Sequence, residues 1–495
     1  MSFFNGLGRT GGFGLNAPSH PSRESLLGLL NQWADLGWLR QLDSALARFL
    51  AEQDPQASPA LLLMAAVLAR LEGLGHTGLP LQLGPAAWVT WLNWPAAAQA
   101  AFLKLTDEVI EGDAWLEALR ASPLVRRVGQ QIDQGQPLVL QMESNGTAWL
   151  FLRRYWVYAH QVSQAIAQRT QTKDLLQGPW QVVEPDKTRA LLDVLFPPSP
   201  TAPDWQKIAC ALSLRGRLTV ITGGPGTGKT YTAARVLVAS WASCAKPENL
   251  RVALAAPTGK AAARLRQSIE QALTPLRATL GLTAPLGPAK TLHSLLGTKP
   301  GSRRFKHHAN NPLPVDLLIV DETSMVHLEM MACLLQALPK NARLVLLGDK
   351  DQLASVEAGA VLGDLCARAE GVFYNPDTLT YLAQTTGENL TAQAAVDSPK
   401  ELDQQIVMLR HSHRFGSAIG QLAEAVKQGR VLDTLSPSAG LSGVDAIWRS
   451  QSTGIRPADV VTLAASGRGE GVPCYVDYLR LLNDGRAAAL QNEES

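Results

Sequence analysis

From Ser25 to about Leu81, apolar residues recur at three- and four-residue spacing, which predicts a run of helices that each bury one face. Leu42, Ala45, Leu46, Phe49 and Leu50 mark one such stripe, and Leu61 to Leu71 is nearly continuous. The run from Pro59 to Ala69 is broken at Arg70 and falls short of the ~20 residues that cross a bilayer, so no membrane segment is expected. Near Pro123 the pattern shifts. Leu138–Leu140 and Trp149–Leu152 read as two short strands around a turn at Ser144-Asn145-Gly146, and Arg153-Arg154-Tyr155-Trp156 opens a further helix. Four prolines between Phe196 and Pro203 mark a boundary, because proline fits neither a helix interior nor a central strand. From Arg217 to about Ala367 short apolar runs at 218–222, 251–256, 316–320 and 343–347 alternate with helical text. Largely apolar runs of that length suit parallel strands buried on both faces, so an α/β architecture is expected. Residues 370–405 are poorly periodic, and a second α/β segment is expected from near Val407. The organisation read from these shifts is a helical docking domain over 1–115, an accessory segment and linker over 116–203, a nucleotide-binding domain over 204–367 and a further α/β portion over 368–495.

A length of 495 residues implies more than one core, and 46% apolar residues suits a globular chain. The net charge of +2 provides no global field, so a nucleic-acid partner would need a local basic track. Five scattered cysteines show no metal-ligand spacing, which favours small buried residues in a reducing compartment and a cytoplasmic location. The glycine-rich first residues lack a continuous apolar stretch, so no signal peptide is expected. Asn145-Gly146-Thr147 then reads as a plain turn.

The candidate chemistry centres on Gly223-Gly224-Pro225-Gly226-Thr227-Gly228-Lys229-Thr230. It follows the apolar run Leu218–Ile221 and precedes a helix-like segment, the strand–loop–helix context of a phosphate-binding loop. Its glycines let successive backbone N–H groups face a phosphate, and the helix that follows directs its positive end there. Lys229 can reach the β- and γ-phosphates, and the Thr230 hydroxyl can ligate magnesium. Leu317 to Val320 is an apolar strand that ends in Asp321 and Glu322. The first acid completes a magnesium shell and the second polarises the attacking water. Leu344 to Asp349 is another apolar run with a polar tip, followed by Gln352, placed to sense a γ-phosphate.

Together these segments resemble superfamily 1 DNA helicases, and among them the alpha subunits of exodeoxyribonuclease V, the RecD family. Trp205-Gln206-Lys207-Ile208-Ala209 resembles the motif whose glutamine reads the adenine edge, which places Gln206. Ala256-Pro257-Thr258-Gly259-Lys260 and Thr291-Leu292-His293-Ser294 resemble motifs that hold single-stranded DNA, which places Pro257, Thr258 and His293. The run from Leu347 to Val361 is similar to that family in particular. Leu409-Arg410-His411-Ser412-His413-Arg414-Phe415 resembles the motif whose arginine, here Arg414, approaches the γ-phosphate. The likeness runs from about Leu46 to about Leu482. It implies ATP and Mg²⁺ as cofactors, single- and double-stranded DNA ends as substrate, RecB-like and RecC-like partner subunits, and 5′→3′ unwinding in double-strand break repair and recombination. The implied fold is α/β: a P-loop RecA-like motor domain with a parallel sheet, preceded by a small helical domain and followed by an incomplete second RecA-like domain.

Physical chemistry supports part of the DNA assignment. Hydroxyls and helix N-termini suit phosphates, and His293 can stack on a base or bond a phosphate. The cluster Lys299, Arg303, Arg304, Lys306, His307, His308 reads either as a DNA-attracting patch or as a solvated loop. Arg153-Arg154 beside Tyr155 and Trp156 fits a helix that buries its aromatics. Ser294 stands where the resemblance implies arginine, and His413 where it implies an aromatic residue. The text from Arg430 to Ser495 carries neither of the last two motifs of such helicases, and Arg456, Arg468, Arg480 and Arg486 do not match them. The expectation is that the chain binds ATP–Mg²⁺ but unwinds little DNA by itself, and exposes apolar surface after about Val460. The alternative function is a truncated, hydrolysis- and unwinding-deficient homologue that acts only as a binding subunit.

Overall fold

In the N-terminal region the near-continuous apolar run becomes a helix buried on all sides. A computed structural model of the chain describes residues 21–110, 114–144, 146–171, 179–180, 184–198, 202–280, 286–302, 304–352, 357–393, 398–412 and 474–493, with the single positions 425, 458, 461, 464 and 465. Helix α3 (Pro59–Glu72) starts on Ser58, whose hydroxyl accepts from the Leu61 amide at 3.2 Å, with proline in the first turn where a missing N–H costs nothing. Ala60 to Ala69 and Leu71 are all buried. Helices α1 (Arg23–Asp35), α2 (Gln41–Gln53), α4 (Gly84–Leu92), α5 (Ala96–Val109) and α6 (Ala114–Ala121) build the same core around α3. The buried face of α2 differs from the predicted stripe. It presents Asp43, Ser44, Ala47, Leu50 and Ala51 inward, while Leu42 and Phe49 are exposed. Small residues on that face let α2 lie close to its neighbours, and Arg40 neutralises buried Asp43 at 2.8 Å.

Strands β1 (Gly78–Pro80), β2 (Val125–Arg127), β3 (Leu138–Met142) and β4 (Ala148–Leu152) form a sheet in the order β1-β4-β3-β2. The expected hairpin pairs Leu140 with Leu150 across a turn that contains Gly146; Asn145 lies outside the described residues. Leu138, Leu140, Ala148 and Leu150 enter the helical core, so the helices and the hairpin share one interior across residue 115.

Helix α7 (Arg153–Thr170) leaves β4 and packs on α13 (Leu328–Ala337). It buries Tyr155 and Trp156, as the sequence suggests. Arg169 is 6% exposed and closes the end of α13 by donating to the carbonyls of Leu338, Pro339 and Ala342 at 2.9–3.1 Å. Burial holds this guanidinium down at about 10.

The second sheet is parallel throughout. Its strands are β5 (Leu218–Gly223), β6 (Val252–Ala256), β7 (Lys290–Thr291), β8 (Leu317–Val320), β9 (Arg343–Gly348) and β10 (Ile406–Leu409), in the order β10-β5-β9-β8-β6-β7. The four apolar runs thus appear within a residue of their expected bounds. Their residues alternate between two cores. Ile221, Leu317, Ile319, Val345 and Leu347 face α8 (Pro185–Leu195), α9 (Trp205–Arg215), α10 (Lys229–Ala242), α11 (Gly259–Leu280) and α15 (Pro376–Thr386). Val220, Leu318, Val320, Leu344 and Leu346 face α7, α12 (Leu292–Leu296), α13 and α14 (Val361–Leu365). Burying each such side chain contributes about 1.5–3 kcal/mol, which is why strands covered on both faces carry no polar alternation.

The structure corrects one expectation here. The segment near Val407 does not open a second sheet: β10 is the edge strand of this one, pairing Val407 with Ile221 and Leu409 with Gly223. Val407 and Leu409 lie in the core beneath α9 and α10, and this burial fixes the strand there. Compact units divide at residues 1–413 and 414–495. In the second unit the helix Tyr475–Glu493 exposes Tyr475, Tyr478, Leu479, Leu481 and Leu482.

Candidate functional site

In a parallel sheet every strand delivers its following loop to the same edge, and ligands bind at the carboxyl ends. All six strand ends therefore converge on that edge. From β5 the chain turns through Gly223–Gly228 into α10. Gly226 and Gly228 have φ of +77° and +86°, a region open to glycine at no steric cost, and Gly228 caps α10. A Cβ on Gly223 would stand 2.8 Å from Thr227 Oγ1 and 2.9 Å from the Leu409 carbonyl, so β5 and β10 approach here only because it is glycine. The Thr227 hydroxyl donates to the Gly224 carbonyl at 2.9 Å and fixes the curl of the loop. Ser412, after β10, reaches the Pro225 carbonyl at 3.2 Å.

Lys229 is partly buried at the start of α10 and donates to the carbonyls of Gly223 and Gly224 at 2.7 and 3.2 Å. Burial pulls its ammonium below the usual value, against Asp349, Asp321 and Glu322, whose charges pull it up. Asp349 is the largest of those three and is 5% exposed. Sequence reasoning passed over this residue as a strand tip. Only the pairing of β9 with β5 brings that acid to the same lysine, and no local pattern in the sequence carries that pairing.

Asp321 ends β8. Burial raises its carboxyl above the usual range, the Glu322 charge adds to that, and the Glu322 amide at 2.9 Å and the Lys229 charge oppose it. Glu322 sits at φ +51° in the left-handed region, a conformation that costs a non-glycine residue of order 1 kcal/mol or more and recurs at functional sites. Gln352 follows β9, with its Oε1 3.4 Å from Ser324 Oγ in the turn Thr323–Met325. Gln206, on the first turn of α9, donates to the Thr227 carbonyl at 2.9 Å and so borders the loop. Thr230 lies in the first turn of α10. A triphosphate with a divalent cation fits this donor set: a glycine cradle, a helix start, one partly buried ammonium, and a half-buried carboxylate with the threonine hydroxyl.

The residues singled out for DNA occupy the far side of the same edge. β6 and β7 pair Ala256 with Thr291, so Pro257-Thr258 and Leu292-His293 emerge side by side. Thr258 and His293 are exposed. The Thr258 hydroxyl already accepts from the Ala261 amide at 3.2 Å, which caps α11 and leaves its donor side outward. Phe305 packs edge-on to the His293 ring with centroids 5.8 Å apart. Of the basic cluster, the described members Lys299, Arg304, Lys306, His307 and His308 follow α12, with the Lys306 and His307 amides bonded back to Gly297 and Leu296. Arg303, His413 and Arg414 lie outside the described residues.

Residues 35–144 match the family described as RecBCD enzyme subunit RecD, N-terminal domain, and residues 206–358 match an AAA domain. Over 325 residues the chain is 41% identical to the RecBCD enzyme subunit RecD of Mycolicibacterium smegmatis, covering 64% of this chain and 47% of that one. The corresponding subunit of Haemophilus influenzae is 40% identical over 259 residues, 50% of this chain and 39% of its own. The ATP-dependent RecD2 DNA helicase of Deinococcus radiodurans is 41% identical over 179 residues, 36% of this chain and 21% of its own. The chain spans about half the length, or less, of these curated relatives.

Proposed function

We propose that the chain is a RecD-type protein, the ATP- and Mg²⁺-dependent DNA helicase subunit of a RecBCD-type exodeoxyribonuclease V. The observation that carries this reading is the single sheet edge that holds Lys229, Asp321, Glu322, Asp349 and Gln352 on the β5, β8 and β9 ends and Thr258 and His293 on the β6 and β7 ends. ATP bound with magnesium supplies the transferable phosphoryl group. Lys229 exchanges its carbonyl partners for phosphate oxygens, and the glycine N–H groups and the α10 terminus stabilise the same charge. Thr230 and Asp321 would hold the metal, and Glu322 would take a proton from the attacking water. Gln352 reads the γ-phosphate and Gln206 the adenine edge. Pro257, Thr258 and His293 hold the strand backbone. Arg414 supplies a cation to the γ-phosphate. The N-terminal helical domain, with Leu36, Leu42 and Phe49 exposed, is the docking face for RecB-like and RecC-like subunits. Movement is 5′→3′ and serves double-strand break repair and recombination.

The test is single-strand-stimulated ATP hydrolysis by the full chain assembled with its partner subunits. Lys229→Ala should lower the rate about 10²–10³-fold, as expected when a group that stabilises transition-state charge is removed. His293→Ala should leave the unstimulated rate intact and raise the DNA concentration needed for half-stimulation. Hydrolysis that survives Lys229→Ala, or ignores DNA in the wild-type assembly, contradicts the reading.

A further inference from the structure

The N-terminal helical domain meets the parallel-sheet region at Gly359. The Gly359 amide donates to the Gly75 carbonyl at 3.1 Å. Gly359 has φ +97°, and a Cβ there would stand 2.6 Å from Leu328 Cβ and 3.1 Å from Thr77 Cγ2, so this junction closes only on glycine. Two residues earlier, Glu357 meets His327 Nε2 at 2.7 Å. Gln352 lies against Ser324. Gln352 and Glu357 are therefore both tied to the stretch Ser324–His327, which comes directly after Asp321 and Glu322. Gly348 keeps that stretch tight against β9: a Cβ there would stand 3.2 Å from the Ser324 amide nitrogen.

Around this junction lies a cavity of about 370 Å³ lined by Arg40, Glu72, Arg154, Tyr155, His327 and Glu357 among others. Glu72, the last residue of α3, accepts from Arg40 and Arg154 at 3.0 Å each and from the Tyr155 hydroxyl at 2.6 Å. Burial alone would raise the Glu72 carboxyl, but the Tyr155 and Arg40 hydrogen bonds and the arginine charges outweigh it and hold the group below its usual range. The helical domain, α7 and the start of α13 thus meet in one polar network beside the Gly75–Gly359 contact.

We propose that this junction couples the N-terminal domain to recognition of the γ-phosphate. Glu357, His327 and Gly359 are positioning residues that act on Gln352 through the stretch Ser324–His327. Placing Gln352 against a γ-phosphate and making the Gly359–Gly75 contact are then two ends of one adjustment. The inference rests on the nucleotide reading above. Coupling between sites is reciprocal, so the effect is measurable from either end.

The experiment is hydrogen–deuterium exchange on the full chain with Mg²⁺ and either ADP or a non-hydrolysable ATP analogue. Both nucleotides should slow exchange over 223–230. Only the ATP analogue should alter exchange over 72–77 and 357–361. Glu357→Ala removes a side chain that is 67% exposed, so the fold is not at risk. It should abolish the γ-phosphate-dependent change and reduce the preference for the ATP analogue over ADP by about five-fold or more. Glu357→Gln keeps an acceptor for His327 and should retain most of both effects. A wild type in which 72–77 and 357–361 respond equally to the two nucleotides, or a response untouched by Glu357→Ala, overturns the coupling. Absence of protection over 223–230 with either nucleotide overturns the nucleotide reading, and the coupling with it.

Discussion

Asp321 carries the sharpest conflict between stability and function at the scale of single residues. Burial raises its carboxyl, so folding favours the neutral form. A raised acid costs stability at neutral pH, and the cost is relieved as pH falls through the folded value toward the usual carboxylate range. A divalent cation would offset the same cost. Asp321→Asn should therefore leave the thermal midpoint unchanged or higher while abolishing the Mg²⁺ dependence of nucleotide affinity. Calorimetry with and without EDTA reads both; a lowered midpoint with Mg²⁺ dependence intact would count against the assignment. Much of the site was legible at this scale. Lys229, Thr230, Asp321 and Glu322 sit in short local patterns whose chemistry requires those residue types. The facing of Asp349 on Lys229, the Gln352–Ser324 contact and the left-handed backbone of Glu322 were not legible, because each depends on how separate strands end side by side.

Among the elements, those with a local signal were read well and those defined by a distant partner were not. The strands Leu218–Gly223, Leu317–Val320 and Arg343–Gly348 announce themselves as largely apolar runs. β10 has the same text, but only its pairing with β5 tells which sheet it joins, and that contact spans nearly two hundred residues of sequence. The α2 stripe failed for a related reason: Ala47 and Ser44 pack inward because small side chains permit close approach, a criterion that hydrophobic periodicity does not weigh. Arg169 makes an element-scale prediction. Its guanidinium donates to the carbonyls of Leu338, Pro339 and Ala342, and the Pro339 carbonyl also accepts from the Ala342 amide. Arg169→Ala should cost at least about 2 kcal/mol, since it removes three charge-assisted bonds to backbone carbonyls from a buried site. The shift in urea midpoint measures it, and a loss under about 0.5 kcal/mol would contradict the capping role.

The first unit joins the helical core to the two cores on either face of the parallel sheet. The helical core extends through the β3–β4 hairpin, and α7 carries the chain from that hairpin onto α13, beside the parallel sheet. A composition shift near residue 115 marks a change from helix to strand within one interior, so it does not mark where packing ends. Across the parallel sheet, the nucleotide candidates and the DNA candidates share one edge, and that common edge is what makes the arrangement a motor proposal and not merely a binding site. Its first requirement is that the β5–α10 loop takes a triphosphate. The most direct measurement is equilibrium titration of the full chain with a fluorescent, non-hydrolysable ATP analogue in Mg²⁺, for wild type and Lys229→Ala. Saturable binding that weakens about ten-fold or more in the variant, the loss expected for a charge-assisted phosphate bond, is the predicted result. Equal affinity in the two proteins, or no saturable binding by wild type, would contradict it.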